Sequence, residues 1–166
     1  MSAMTMAARG AAIRSNASDA WQAALRLLSV RDRSSTELHS KLQQRGFTEE
    51  AIAAALQRAA ELGYLDDHRF AQNRARSLVR QGKAVGARLK LELQRYGLDT
   101  RDIDQACASA SDEYPPEQVL RELLERRYSD FNYHQASDKE RSRVVRFFQR
   151  RGFPISQVLS ILKEER

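Results

Sequence analysis

The side chains best suited to catalysis or metal binding are few and scattered. His39, His68 and His134 stand far apart, with no His-x-x-x-His or Cys/His spacing that would let two ligands converge from one helix face. Asp66-Asp67-His68 is the one acidic–imidazole cluster. As a metal site it is incomplete, whereas an aspartate at the start of a helix is an ordinary cap. Cys107 falls in a slot that Leu56 and Leu162 fill elsewhere, so it reads as a small core residue rather than a nucleophile. Gly82 and Gly86 enclose only Lys83-Ala84-Val85, which cannot cradle a phosphate chain. A hydrolytic or phosphoryl-handling enzyme would need a triad, a loop or a ligand set, and the chain offers none. The expectation is a non-enzyme with no cofactor and no metal.

The arginines carry more information. Arg69, Arg76, Arg80 and Lys83 are spaced seven, four and three apart, which places them on one stripe of a helix and its following turn. Arg88 and Arg95 form a seven-spaced pair further on, and Arg143, Arg146 and Arg150 again follow helical spacing, with Arg141 and Arg151 alongside. A solvated helix surface would also be rich in arginine, and acids such as Glu92 lie within one turn. Arginine nevertheless outnumbers lysine heavily, and its planar fork suits phosphates and carboxylates. With a net charge of +6 in 166 residues, the stripes suggest a polyanionic partner: a nucleic-acid backbone or an acidic protein surface.

Such stripes need helices to hold them. With three prolines and seven glycines, the chain has few breaks between periodic segments, and those segments are rich in helix formers, so the class is all-α. One arrangement occurs three times. A helix with a four-spaced apolar pair (Leu38/Leu42, Leu89/Leu93, Val144/Phe148) runs into Gly46, Gly97 or Gly152, and an apolar residue follows at once. Each glycine reads as a helix stop that sets the angle to the next helix. Six residues beyond it stands Ile52, Ile103 or Val158, and ten beyond it Leu56, Cys107 or Leu162. Ser34 and Ser137 each lie three residues before a glutamate, Glu37 and Glu140, as capping boxes require. Thr48 and Asp99 are further helix caps, and Pro116 suits a first helical position.

The organisation expected is a flexible tail over 1–18, three-helix repeats over 19–65 and 66–110, a linker over 111–115 in the polar segment from Ala108 to Tyr114 that ends in Pro115-Pro116, and a third repeat over 116–166. Each unit is too small to bury much alone, so neighbours must share apolar surface, and the product is an elongated, curved array. The linker would let the third block move or exchange between chains, although a monomer is the simpler expectation. No run approaches the roughly 18 apolar residues of a membrane span. A single cysteine fits a reducing, cytoplasmic setting.

Ala23-Ala24-Leu25-Arg26-Leu27-Leu28 with Arg31-Asp32-Arg33-Ser34, then Glu37-Leu38, Lys41-Leu42 and Arg45-Gly46-Phe47, resembles the bacterial RecX proteins. Gly63-Tyr64-Leu65-Asp66-Asp67 with Arg69-Phe70-Ala71 is the most specific part of the resemblance, which covers about Ala20 to Lys163. Lys83 to Leu93 matches the family's second-repeat motif, with Ala87 where the family often has proline, and the third repeat matches by pattern more than by letter. The resemblance implies a non-enzymatic regulator, mainly an inhibitor, of the RecA recombinase. Such a protein lies in the groove of the RecA–DNA filament and restrains strand exchange, ATP hydrolysis and filament growth. The alternative is an independent, sequence-nonspecific nucleic-acid-binding module. Its third helix, Glu49 to Glu61, is acidic and alanine-rich, poor material for reading a major groove, so any direct DNA contact should be weak and salt-dependent.

Overall fold

The computed structural model describes residues 16–164, and the statements below refer to them. They form nine helices: α1 (Ala17–Val30), α2 (Ser35–Gln43), α3 (Glu49–Glu61), α4 (Asp67–Arg80), α5 (Gly86–Gln94), α6 (Thr100–Glu113), α7 (Pro116–Tyr128), α8 (Asp138–Gln149) and α9 (Ile155–Glu164). The protein is all-α, built as three tandem three-helix repeats. Positions 1–15 of the expected tail lie outside the described residues. Asn16 already caps α1, its side chain accepting a hydrogen bond from the Ser18 amide, so 16–18 belong to the first helix rather than to a tail.

Four of the caps read from sequence, Ser34, Thr48, Asp99 and Ser137, have their hydrogen bonds. Thr48 accepts from the Ala51 amide and Asp99 from the Arg101 amide, and Pro116 stands at the first position of α7. Ser137 and Glu140 make both halves of a capping box. Ser34 accepts from the Glu37 amide, but the Glu37 carboxylate is gripped by Arg31 and Arg33, whose side chains hold the α1–α2 turn. Gly46, Gly97 and Gly152 all have positive φ, each three residues past the last residue of its helix.

The chain divides after Asp66 into two compact units. In the first, α1 and α3 lie against each other through small residues. Ala20 and Ala24 on one helix and Ala51, Ala55 and Ala59 on the other are buried, which lets the backbones approach closely. Leu38, Leu42, Phe47 and Ile52 complete this core. Trp21 covers its edge, with the Arg58 guanidinium 4.5 Å from the indole centroid and the Tyr64 ring tilted against it at 6.4 Å. The second unit holds α4 to α9 around one continuous core, so the second and third repeats share their apolar interior. There α4 and α6 again meet through alanines, Ala71 and Ala75 against Ala106 and Ala110. Phe147, Phe148 and Phe153 pack edge to face in the third repeat, with centroids 5.2 and 5.7 Å apart.

Two expectations are corrected. The stretch read as a linker is helical through Glu113, and Ala110 within it is fully buried. Its polar letters, such as Asp112 and Glu113, are the solvated side of α6, and its alanines are the side facing α4. The slot ten residues beyond each glycine is filled by a buried residue in one repeat only: Leu162 is buried, while Leu56 and Cys107 are half-buried. The inward face follows an i, i+3, i+7 path instead, Ile52/Ala55/Ala59 and Ile103/Ala106/Ala110, because the close helix pairs select alanine over a longer side chain.

Candidate functional site

The nine basic residues of the sequence stripes all reach the surface, but they do not all keep free charge. On α4, Arg76 donates through Nε to Glu113 at 2.7 Å, so the end of α6 neutralises the middle of that stripe. Arg69 is exposed two turns earlier. Arg80 and Lys83 are exposed at the far end, and neither forms an ion pair with a described carboxylate. On α5, Arg88 and Arg95 both pair with Glu92, Arg95 at 3.3 Å, so two guanidinium groups share one carboxylate. On α8, Arg143, Arg146 and Arg150 are exposed and form no ion pair among the described residues. Arg141, by contrast, is spent on structure, donating to the carbonyls of Tyr133 and His134.

The fold brings two of the stripes together. The Val85 amide, just before α5, donates to the Arg151 carbonyl at 2.8 Å, which seats the turn between α8 and α9 on the start of α5. Gly152 makes this approach possible. Its φ is +97°, and a β-carbon there would overlap the Val85 carbonyl oxygen and stand 2.8 Å from the Arg88 β-carbon. Arg88 therefore neighbours the Arg150–Arg151 turn, although 62 positions separate Arg88 from Arg150 by their numbers. Gly82 is the second close approach, with Leu123 of α7 against it.

Sequence spacing did not single out Arg127 for this surface. Its guanidinium lies 5.1 Å from the Phe147 centroid, and that of Arg151 lies 3.5 Å from the same ring. In sequence, Arg126 and Arg127 look like basic residues that complement the dipole at the end of α7. Nothing in their spacing links them to a phenylalanine twenty positions away. Burial lowers the Arg151 pKa from its ordinary value, and the nearby charges of Arg127 and Arg150 add to the effect.

The candidates for chemistry lie apart from this surface. His68 Nδ1 is 2.9 Å from Asp102 on α6, and His39 Nε2 is 2.7 Å from Glu49, so each imidazole ties two helices. Burial and then Asp104 push the Cys107 thiol up, opposite to the shift that activates a nucleophile. Among the described residues, no group of three or more His, Cys, Asp or Glu side chains is placed to hold a metal ion, and no helix is long and apolar enough to cross a membrane.

Tandem three-helix repeats carrying an arginine-rich surface define a helical-repeat protein. Known proteins make the class specific. Models of the first, second and third three-helix domains of RecX match residues 20–58, 66–106 and 116–162. The chain is 37% identical over 148 residues to the regulatory protein RecX of Syntrophotalea carbinolica, covering 89% of this chain and 97% of that one. It is 38% identical to that of Trichlorobacter lovleyi, over 82% and 88% of the two chains. The fold also matches a crystal structure of regulatory protein RecX (TM-score 0.71, 23% identity, 90% of this chain and 73% of that one) and that of RecX from Lactobacillus salivarius (TM-score 0.69, 22% identity, 89% and 95%). The chain belongs to the RecX family.

Proposed function

We propose that this protein regulates RecA from within the cytoplasm, without catalysing a reaction, by lying along the RecA–DNA filament and restraining strand exchange, ATP hydrolysis and filament growth. The observation that carries this reading is the match of all three repeats, in order, to the RecX domains. The surface supports it. Arg80, Lys83, Arg146 and Arg150 present cations that form no ion pair with a described carboxylate, Arg143 adds one that Glu140 partly offsets, and a filament offers both acidic protein and phosphates. Many weak contacts to successive protomers of a polymer add through effective concentration, so no deep pocket is needed.

The test is RecA ATPase and strand exchange on single-stranded DNA with increasing amounts of this protein. Inhibition is expected, and R143A/R146A/R150A should weaken it while leaving helicity by circular dichroism unchanged. R69A/R76A/R80A should weaken it less, because Arg76 is already held by Glu113. Failure of the wild-type chain to alter either RecA activity would overturn the reading.

A further inference from the structure

Three guanidinium groups meet where the end of α7, the start of α5 and the α8–α9 turn come together. Arg127 and Arg151 both lie within 5.1 Å of the Phe147 centroid, and Arg151 is anchored there by donating to the Phe147 carbonyl at 3.0 Å. Arg150 is the next residue, exposed, and Arg88 is brought alongside by the Val85–Arg151 hydrogen bond and the missing β-carbon of Gly152. Arg127, Arg150 and Arg151 have no ion pair to a described carboxylate, whereas Arg76, Arg88, Arg95 and Arg121 all do. Crowding cations without a counter-charge costs free energy that a bound anion would recover.

We infer that this seam between the second and third repeats is a phosphodiester-binding site, in which Arg127, Arg150 and Arg151 hold the backbone of a nucleic-acid strand. A phosphodiester carries two free oxygens that accept from two forks at once, and its charge recurs along the strand. The arginines recur too: Arg143, Arg146 and Arg150 run up the exposed side of α8, about 10 Å of helix leading into the seam. A single carboxylate can bridge two forks, as Glu92 does for Arg88 and Arg95, but it brings one charge, whereas a strand brings another at every step. The adjoining hollow of about 410 Å³ has Arg127 and Arg143 on its wall but also Asp130 and Glu140, so the strand is placed on the Arg150–Arg151 side of α8. Phe147 is only 6% exposed. It serves as a platform that orients two guanidinium groups, and bases have no ring to stack on there, so binding is blind to sequence.

The inference deepens the regulatory reading, since a nucleoprotein filament presents phosphates, but it is tested on bare nucleic acid. The salt dependence of binding to a fluorescein-labelled oligothymidylate would be measured for the wild type, for R127Q/R150Q and for R76Q/R95Q, which removes the same charge from arginines that already have carboxylate partners. The seam variant should lower the slope of log K against log salt by about 0.7 for each phosphate that is no longer neutralised, and the other variant by less than half as much. R151K keeps the charge, loses the fork and should also weaken binding. Equal weakening in both double variants would overturn the site in favour of general charge. So would polyglutamate displacing the oligonucleotide from the wild type as well as an oligonucleotide of equal charge does, which would assign the seam to an acidic protein. RecA ATPase measured in parallel separates the two readings: inhibition that survives a failed oligonucleotide test removes the site alone, and oligonucleotide binding without inhibition removes the regulator alone.

Discussion

Replacing Gly152 by alanine makes two demands on the backbone at once. A left-handed φ costs an L-residue about 1–2 kcal/mol, and the same penalty applies at Gly63, where φ is +72° and a new β-carbon would meet nothing within 4 Å. At Gly152 the β-carbon also strikes the Val85 carbonyl, a backbone atom that cannot swing aside, so the Val85–Arg151 hydrogen bond must break. G63A should therefore cost about 1–2 kcal/mol by urea denaturation and G152A more than about 3. Equal costs would mean that the seam can open without penalty. Glu37 supplies a pH-dependent counterpart. Burial opposes its ionisation, but hydrogen bonds and charge from Arg31, with Arg33 beside it, prevail and hold its pKa below the ordinary glutamate value. Its contribution is thus complete above the unfolded-state pKa of about 4.3 and is lost as pH falls through the lower native value. The melting-temperature gap between the wild type and E37Q should be widest near neutral pH and close in acid. A gap independent of pH would mean that the ion pairs add nothing to stability.

Among the elements, the caps and glycine turns were legible because their chemistry is local: Ser137 and Glu140, or Thr48 and the Ala51 amide, need only their own helix. The inward faces were legible only in part. A four-residue step from Ile52 leads to Leu56, yet the buried path passes through Ala55 and Ala59, because alanine permits the α1–α3 approach. Periodicity cannot tell a small residue chosen for closeness from one tolerated on a surface. The same ambiguity hid the end of α6, where buried Ala110 sits among polar letters. Arg127 was missed for a different reason: its partner Phe147 belongs to another helix. Substitution separates these faces. L42A removes a fully buried side chain and should cost about 2–5 kcal/mol. L56A, at a half-buried position, should cost clearly less. A denaturation midpoint that moved equally in both variants would return Leu56 to the core.

Taken whole, the chain has two apolar interiors. One is confined to the first repeat, and the other is common to the second and third. Three repeats were legible in the threefold return of the glycine pattern, but their grouping was not, since it depends on approaches such as that of Leu123 to Gly82, which no spacing announces. Stability should divide along the same line, and a single unfolding free energy should not describe this protein. In a calorimetric scan, L42A is expected to move one component and F148A another. Movement of a single shared transition by both would mean that the two interiors melt as one.

The common interior of the last two repeats has a consequence during synthesis. A ribosome working at about 5–20 residues per second releases the first repeat with everything it needs to fold. The second must wait for the third, so for several seconds the faces meant for Leu120 and Leu123 stand open to water and to other nascent chains. A pause in translation just after α6 would lengthen that exposure, and one just after Asp66 would not.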